Sequence, residues 1–98
     1  MKAYKNLIKY ALKDGNVVSV NDGEEWAVKK SSKYTEIIEA IESVEEATIV
    51  IRNKDGEKIG WALIQPFGLE DDETVVDYTC SEYMEQWNND YLEYQSQY

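Results

Sequence analysis

The side chains of this chain that could do chemistry are carboxylates, and they are concentrated toward one end. From Phe67 to the C-terminus the chain has nine Asp and Glu residues and no Lys, Arg or His, whereas the first 33 residues have seven Lys against four acids. A fixed set of carboxylates can steer and orient a cationic partner. Because unbalanced charge also disfavours the compact state, the pattern indicates a use for it, with solubility as the simpler explanation.

The chain lacks the residues that most other kinds of catalytic and metal-binding site require. With no His, the chain lacks the commonest general base and the commonest metal ligand, and it has no Ser-His or Cys-His pair. The single Cys80 cannot build a zinc site, and no Gly-rich phosphate loop occurs. Paired carboxylates could serve a glycosidase, but among twenty acids some pair always fits, so this signal carries no weight. We therefore expect no enzyme, no catalytic residue, no cofactor and no metal.

Two local features have both a chemical and a structural interpretation. The run Glu70-Asp71-Asp72-Glu73 has calcium-binding oxygens but lacks the spacing and the glycine of an EF-hand loop, which favours a solvated acidic loop. Cys80 falls on an apolar stripe without cationic neighbours, a pattern typical of a buried and unreactive thiol.

Charge and cysteine content also limit the partners and the compartment. A net charge of −10 argues against direct binding to nucleic acid or to anionic membranes and favours a basic partner. A single Cys cannot form an internal disulfide, which fits a reducing compartment. No apolar run reaches the roughly 18 to 20 residues of a membrane span, and no apolar segment of a secretory signal follows the Lys-rich start. We expect a cytoplasmic protein.

Hydrophobic periodicity predicts the elements that must position the acids. Residues 2–13 have helical spacing and are followed by a Gly stop, and a hairpin turning at 21–23 comes next. A second helix is predicted after Ser31 or Ser32 as its N-cap. Acids near the C-terminal end of that helix, Glu45 and Glu46 among them, oppose the helix dipole and so do not serve to stabilise it.

The middle of the chain predicts a second hairpin. Residues 47–52 are a β-branched run, and the returning strand over 59–64 ends before Pro66, which cannot donate a ladder hydrogen bond. Gly60 and Ala62 are small residues on one face of this strand, which lets another element, such as a helix, pack close.

The segment before the last helix has two interpretations. One is a long helix beginning at Asp72, since apolar residues beyond it keep helical spacing. The other is a short strand over 74–78, after which Thr79 and Glu82 form a capping box that opens a shorter helix. The β-branched residues in succession favour the strand. In both interpretations residues 81–94 are helical.

These elements predict one α+β domain over residues 1–98. Their order, α-β-β-α-β-β-(β)-α, gives an antiparallel sheet of four to five strands with about three helices packed mainly on one face.

The predicted partner-binding residues are the acids of the last helix and of the segment before it, with one tyrosine: Glu70, Asp71, Asp72, Glu73, Asp77, Tyr78, Glu82, Glu85, Asp90 and Glu93. A step of three or four helical residues advances about 5 to 6 Å, a scale comparable to the phosphates of one DNA strand. In size and charge, though in no motif, the chain resembles small acidic proteins of phages and mobile elements that inhibit restriction or CRISPR nucleases. That resemblance implies a nucleic-acid mimic that blocks the basic groove of a host protein.

The alternative is a protein–protein interaction or regulatory module without mimicry. In that case the acidic helix docks on a basic patch of one partner, or copies of the chain form a homo-oligomer through an exposed sheet face or edge. The lysines at 5, 9 and 13 lie at intervals of four on the first helix and would also permit head-to-tail association with the acidic end.

Overall fold

The computed structural model describes residues 2–68 and 70–96. Within these ranges the helices and strands follow the predicted order: α1 Ala3–Lys13, β1 Val17–Asn21, β2 Trp26–Ser31, α2 Tyr34–Glu42, β3 Ala47–Arg52, β4 Lys58–Ile64, β5 Val75–Tyr78 and α3 Glu82–Ser96. A short 3₁₀ helix, Asp71–Thr74, leads into β5.

The five strands form one antiparallel sheet in the order β2-β1-β3-β4-β5. Sequence neighbours pair in two hairpins, and β1 and β3 join the hairpins at the centre of the sheet. The strand interpretation of 74–78 is therefore the correct one, because Val75, Asp77 and Tyr78 pair with β4. The α+β prediction is confirmed.

One face of the sheet is covered by all three helices. Strand side chains such as Val18, Ile49 and Ile51 are fully buried there in one cluster with the inner sides of α1, α2 and α3. α3 comes close to the sheet at Gly60, where an added Cβ would lie 2.6 Å from the Met84 sulfur. The prediction that the small residues of β4 admit a helix is confirmed.

The opposite face of the sheet carries side chains that do not belong to this core. Ser19, Val50 and Trp61 are paired neighbours across β1, β3 and β4, and strand alternation turns them away from the helices. Trp61 and Leu63 are only partly buried, and both lie outside the core cluster. We call this surface the open face.

Two predictions about the last helix are wrong at its beginning. Cys80 is exposed, since α3 starts at Glu82 and the cysteine precedes the apolar stripe rather than joining it. The capping hydroxyl belongs to Ser81, whose Oγ accepts the backbone N–H of Met84 at 3.3 Å. Thr79 instead accepts the backbone N–H of Trp61 with its Oγ1 and continues the β4–β5 pairing.

The start of α2 also differs from the prediction. Its N-cap position is Lys33, which makes no side-chain capping bond. Ser31 ends β2 and accepts the Lys33 backbone N–H at 3.0 Å, so the hydroxyl supports the turn into the helix rather than the helix itself.

None of the helices in the described part of the chain combines the length and the apolar character that a membrane crossing demands.

Candidate functional site

The predicted acids lie on three adjoining elements at the β4–β5 side of the sheet. Glu70, Asp71 and Glu73 are exposed in and beside the 3₁₀ helix, and Asp77 is exposed on the edge strand β5. Glu82, Glu85 and Glu93 are exposed on α3, which packs on β4. Asp72 lies in the 3₁₀ helix, and the position of its side chain is outside the described structure.

The outer side of α3 carries three of these acids on one narrow face. At about 100° per residue, Glu82, Glu85 and Glu93 fall within about 80° of one another around the helix axis. The face lies opposite Met84, Trp87 and Tyr91, which are buried in the core. From position 82 to 93 the axis rises about 16 Å, so the carboxylates extend along three helical turns. The core contacts of the helix thus hold these acids outward on a rigid element.

The lysines of α1 do not neutralise this surface. Lys5 lies 3.8 Å from a carboxylate oxygen of Glu42, and the Lys9 ammonium stands 5.3 Å from the ring centroid of Tyr34. Both partners belong to α2, on the side of α1 away from α3. Among residues 2–68 and 70–96, no Lys or Arg lies within 4.0 Å of Glu82 or Glu85.

The exposed acids of the 3₁₀ segment and β5 resemble Glu82 and Glu85 in this respect. Within the described ranges, Glu70, Asp71, Glu73 and Asp77 have no Lys or Arg within 4.0 Å either. Lys2 contacts the chain before this segment, where its Nζ donates to the backbone carbonyl of Pro66 at 2.9 Å. The charge separation that the sequence predicts is therefore present in three dimensions.

Two residues of the predicted set are engaged inside the protein. Asp90 is half-buried, and its carboxylate accepts hydrogen bonds from the Tyr10 hydroxyl and the Gln86 amide, both at 3.0 Å. The Tyr78 ring packs edge-on against Trp87 with the centroids 6.0 Å apart. Asp90 and Tyr78 thus contribute to packing between elements, whereas the exposed acids of the predicted site are Glu70, Asp71, Glu73, Asp77, Glu82, Glu85 and Glu93.

The structure adds two acids and an aromatic ring that the sequence interpretation did not assign to the site. Glu45 and Glu46 follow α2 and line a cleft of about 430 Å³ with Gln65, Phe67 and Gly68. Phe67 is 62% exposed, and it lies next to the acidic 3₁₀ segment in the chain. The signal that could have found Glu45 and Glu46 was their unfavourable position after the C-terminal end of α2.

Exposed apolar side chains also border the acids on the β5 edge. Val76 is 48% exposed and Leu92 is 56% exposed. Leu92 lines a small groove of about 160 Å³ between β5 and α3, together with Tyr78, Trp87 and Asn88. Isolated exposed apolar side chains are normal on a protein surface, so these two do not identify a binding site by themselves.

Another cleft lies where α3 begins, and its hydroxyl groups already make hydrogen bonds within the fold. It has a volume of about 620 Å³, and Ser81, Thr79 and Tyr83 line it. Ser81 donates to the Ile59 carbonyl while capping α3, and the Thr79 oxygen accepts a backbone N–H. The Tyr83 hydroxyl donates to Asp14 at 3.0 Å and accepts from Asn16 at 3.1 Å. These groups therefore serve the structure of the fold.

Burial and carboxylate partners hold the tyrosines of this cleft in their neutral form. Burial is the main cause that raises the pKa of Tyr10 to about 12, and the hydrogen bond to Asp90 adds to it. Burial, with the hydrogen bond to Asp14, raises the pKa of Tyr83 further. Both hydroxyls remain donors at neutral pH.

The carboxylates do not converge on a point that would hold a metal. In the part of the chain that the structure describes, no three Asp, Glu or Cys side chains come together as a metal site requires. The acids of the candidate surface are instead spread along it.

Comparison of the chain with protein-family models, with curated proteins and with solved structures found no match. The function is therefore argued from the arrangement of these residues alone.

Proposed function

We propose that this chain is a non-enzymatic binding protein that presents a fixed array of carboxylates to a cationic groove of a protein that otherwise holds nucleic acid. We call the array the acidic surface: Glu70, Asp71, Glu73, Asp77, Glu82, Glu85 and Glu93, with Glu45 and Glu46 at its border. The proposed consequence of binding is inhibition, because the groove is occupied. In a phage or mobile element, the target would be a host defence protein in the cytoplasm.

The observation that carries the proposal is the placement of the charges. Lys5 and Lys9 of α1 contact α2, and Glu82 and Glu85 on α3 have no cation within ion-pairing distance. Carboxylates that have no ion-pairing cation, such as Glu82 and Glu85, repel one another, and a cationic partner removes that cost on binding.

The position of one acid weighs against helix stability as the reason for the charge. Glu82 and Glu85 lie in the first turn of α3, where a negative charge favours the helix dipole. Glu93 lies in the last turn of α3, where a negative charge opposes the dipole. Helix stability therefore explains the first two but not the third, whereas a binding array uses all three.

The dimensions of the array suit a groove made for a nucleic-acid strand. Glu82 and Glu85 are separated by about 4.5 Å along the helix axis, close to the spacing of about 3.4 Å between phosphates of one DNA strand. At physiological salt the Debye length is about 8 Å, so each carboxylate acts mainly on cations directly opposite it. The apolar side chains of Phe67 and Leu92 add contacts that do not weaken with salt.

The direct test is capture of partners on the immobilised protein at low and at high salt, followed by elution with duplex DNA or with RNA. We expect a nucleic-acid-binding protein that is retained at low salt, lost at high salt and released by polynucleotide. The variant Glu82→Gln/Glu85→Gln/Glu93→Gln should bind that partner more than about tenfold more weakly, because three charge-assisted contacts are lost.

A matched control removes three acids away from the acidic surface. Glu24→Gln/Glu25→Gln/Asp55→Asn changes two exposed turns and the same amount of charge, and it should bind as the parent does. Equal binding by parent and α3 variant, or a partner that polynucleotide does not displace, would rule out nucleic-acid mimicry.

A specific observation also supports the alternative of a self-associating module. The open face carries Trp61 and Leu63 partly exposed and outside the core, on a side of the sheet with no helix in the described ranges. Under that alternative the mass measured by light scattering rises with protein concentration, and the α3 variant associates as the parent does.

A further inference from the structure

A second site lies on the open face, and its charge is opposite to that of the chain as a whole. It is a cleft of about 330 Å³ lined by Ser19, Trp26, Lys29, Lys30, Val50 and Arg52. Three of the ten cations of the chain line it, and no carboxylate does. We call it the Trp26 cleft.

A β-bulge builds the cationic side of this cleft. Between the pairs Val18–Ser31 and Val20–Val28, one residue of β1 is opposite two residues of β2, Lys29 and Lys30. Lys30 has a φ of 47°, in the left-handed region, and its backbone N–H donates to Ser19 Oγ at 2.9 Å. In a regular strand adjacent side chains point to opposite faces. Here the bulge redirects the strand, and both lysines line the same cleft.

The third cation is held in place by the neighbouring turn. The Arg52 side chain donates through Nη1 to the carbonyl of Gly56 at 3.1 Å, which leaves other guanidinium N–H groups for a ligand. Within the described residues, Lys29, Lys30 and Arg52 have no carboxylate within 4.0 Å. Three neighbouring cations without a counter-charge repel one another, and an anion bound among them relieves that repulsion.

The aromatic residue of the cleft defines the rest of the ligand. Trp26 is 44% exposed, on the edge strand β2, and its indole contributes to the wall of the cleft. An exposed indole offers a face on which a planar ring can stack, as aromatic side chains do with nucleobases.

We propose that the Trp26 cleft binds a nucleoside phosphate, with the base on Trp26 and the phosphate groups among Lys29, Lys30 and Arg52. The volume lies near the lower end of the range for small-molecule sites, roughly 300 to 1,000 Å³. A long polyanion is disfavoured because it would extend past the cleft over a protein of net charge −10. This site is separate from the acidic surface, and its test does not depend on the proposed function.

The test is isothermal titration calorimetry of the protein with ADP, with adenosine and with inorganic pyrophosphate. We expect saturable binding of ADP and weaker binding of the two partial ligands, because each satisfies only one side of the cleft. Lys29→Gln/Lys30→Asn should weaken ADP binding by at least about tenfold, since two charged hydrogen-bond donors are lost. Asn is chosen at position 30 because it tolerates the left-handed backbone.

Two further variants separate the roles within the cleft. Trp26→Leu should weaken binding of ADP and of adenosine while leaving pyrophosphate binding unchanged. The control Lys13→Gln/Lys54→Gln removes two exposed lysines elsewhere and should bind ADP as the parent does. The proposal is overturned by the absence of saturable ADP binding, by equal binding in the Lys29/Lys30 variant, or by a single-stranded oligonucleotide binding more tightly than ADP.

Discussion

The two faces of the sheet use similar residues for different purposes. On the helix-covered face, Trp87 is 2% exposed, stacks on Tyr91 at a centroid distance of 5.6 Å and donates its indole N–H to Asn6 at 2.9 Å. On the open face, Trp26 is 44% exposed and lies among cations. Indole rings on the two faces thus have different surroundings, one closed by packing and the other open to a ligand.

The comparison separates the face that stabilises this small domain from the surfaces that are exposed to a partner or ligand. Burial of large apolar side chains provides most of the free energy of folding, and that burial is on the helix-covered face. The open face and the acidic surface contribute little to it and instead carry charge with few counter-charges. Substitutions on the two faces should therefore separate stability from binding.

The largest effect is expected from replacing the tryptophan of the core. Trp87→Ala should lower the free energy of unfolding by about 3 to 5 kcal/mol, because it leaves a cavity and removes packing with Tyr78 and Tyr91. Trp26→Ala should lower it by about 1 kcal/mol or less, as is usual for an exposed position. Urea unfolding followed by circular dichroism gives both values.

A more conservative variant keeps this comparison measurable if Trp87→Ala does not fold. Trp87→Phe retains a ring but loses the hydrogen bond to Asn6, and it should cost less than the alanine variant and more than Trp26→Ala. A Trp26 variant as unstable as the Trp87 variants would mean that the open face belongs to the core.

The helix-covered face could largely be predicted from the sequence, for a physical reason. Helical spacing of apolar residues and strand alternation report burial on one side, and Gly60 with Ala62 indicated the close approach of a helix. The strand at 74–78 followed from its β-branched residues. The acids of the 3₁₀ segment and α3 were assigned to the site because a stretch with nine carboxylates and no Lys, Arg or His is visible without a fold.

Other features depend on contacts that no local pattern encodes. Asp90 was assigned to a partner, but its carboxylate accepts from Tyr10, which is 80 residues away. Cys80 was assigned to the core because the start of α3 was placed too early. The Trp26 cleft arises from a bulge, and a bulge depends on the register of β1 against β2 rather than on residue types.

An intermediate effect is expected at Gly60, where Met84 of α3 packs against the sheet. In Gly60→Ala the new Cβ would lie 2.6 Å from the Met84 sulfur and 2.9 Å from its Cγ. We expect a loss of about 1 to 3 kcal/mol in the free energy of unfolding from overpacking. In a Met84→Ala background the same change should be neutral or stabilising, since the steric conflict is gone and Ala restricts the unfolded chain more than Gly.

A double-mutant cycle of these variants measures the contact directly. A coupling near zero between positions 60 and 84 would mean that the distance between α3 and β4 is not set at this contact.

The smallest effect concerns a polar contact at the border of the acidic surface, between Tyr10 on α1 and Asp90 on α3. Burial and Asp90 raise the pKa of Tyr10 to about 12, from about 10 in an unfolded chain. Because the folded pKa is the higher one, this contribution to stability is complete below pH 10 and is lost as the pH rises through about 12.

Tyr10→Phe cannot ionise, so the stability advantage of the parent over this variant should be constant up to pH 10 and shrink above it. Urea unfolding between pH 8 and pH 11.5 measures the difference, and a difference spectrum of tyrosinate absorbance locates the titration. If Tyr10 titrates near its ordinary pKa in the folded protein, Asp90 is not held by α1 and belongs with the exposed carboxylates of the acidic surface, where it could contact a partner.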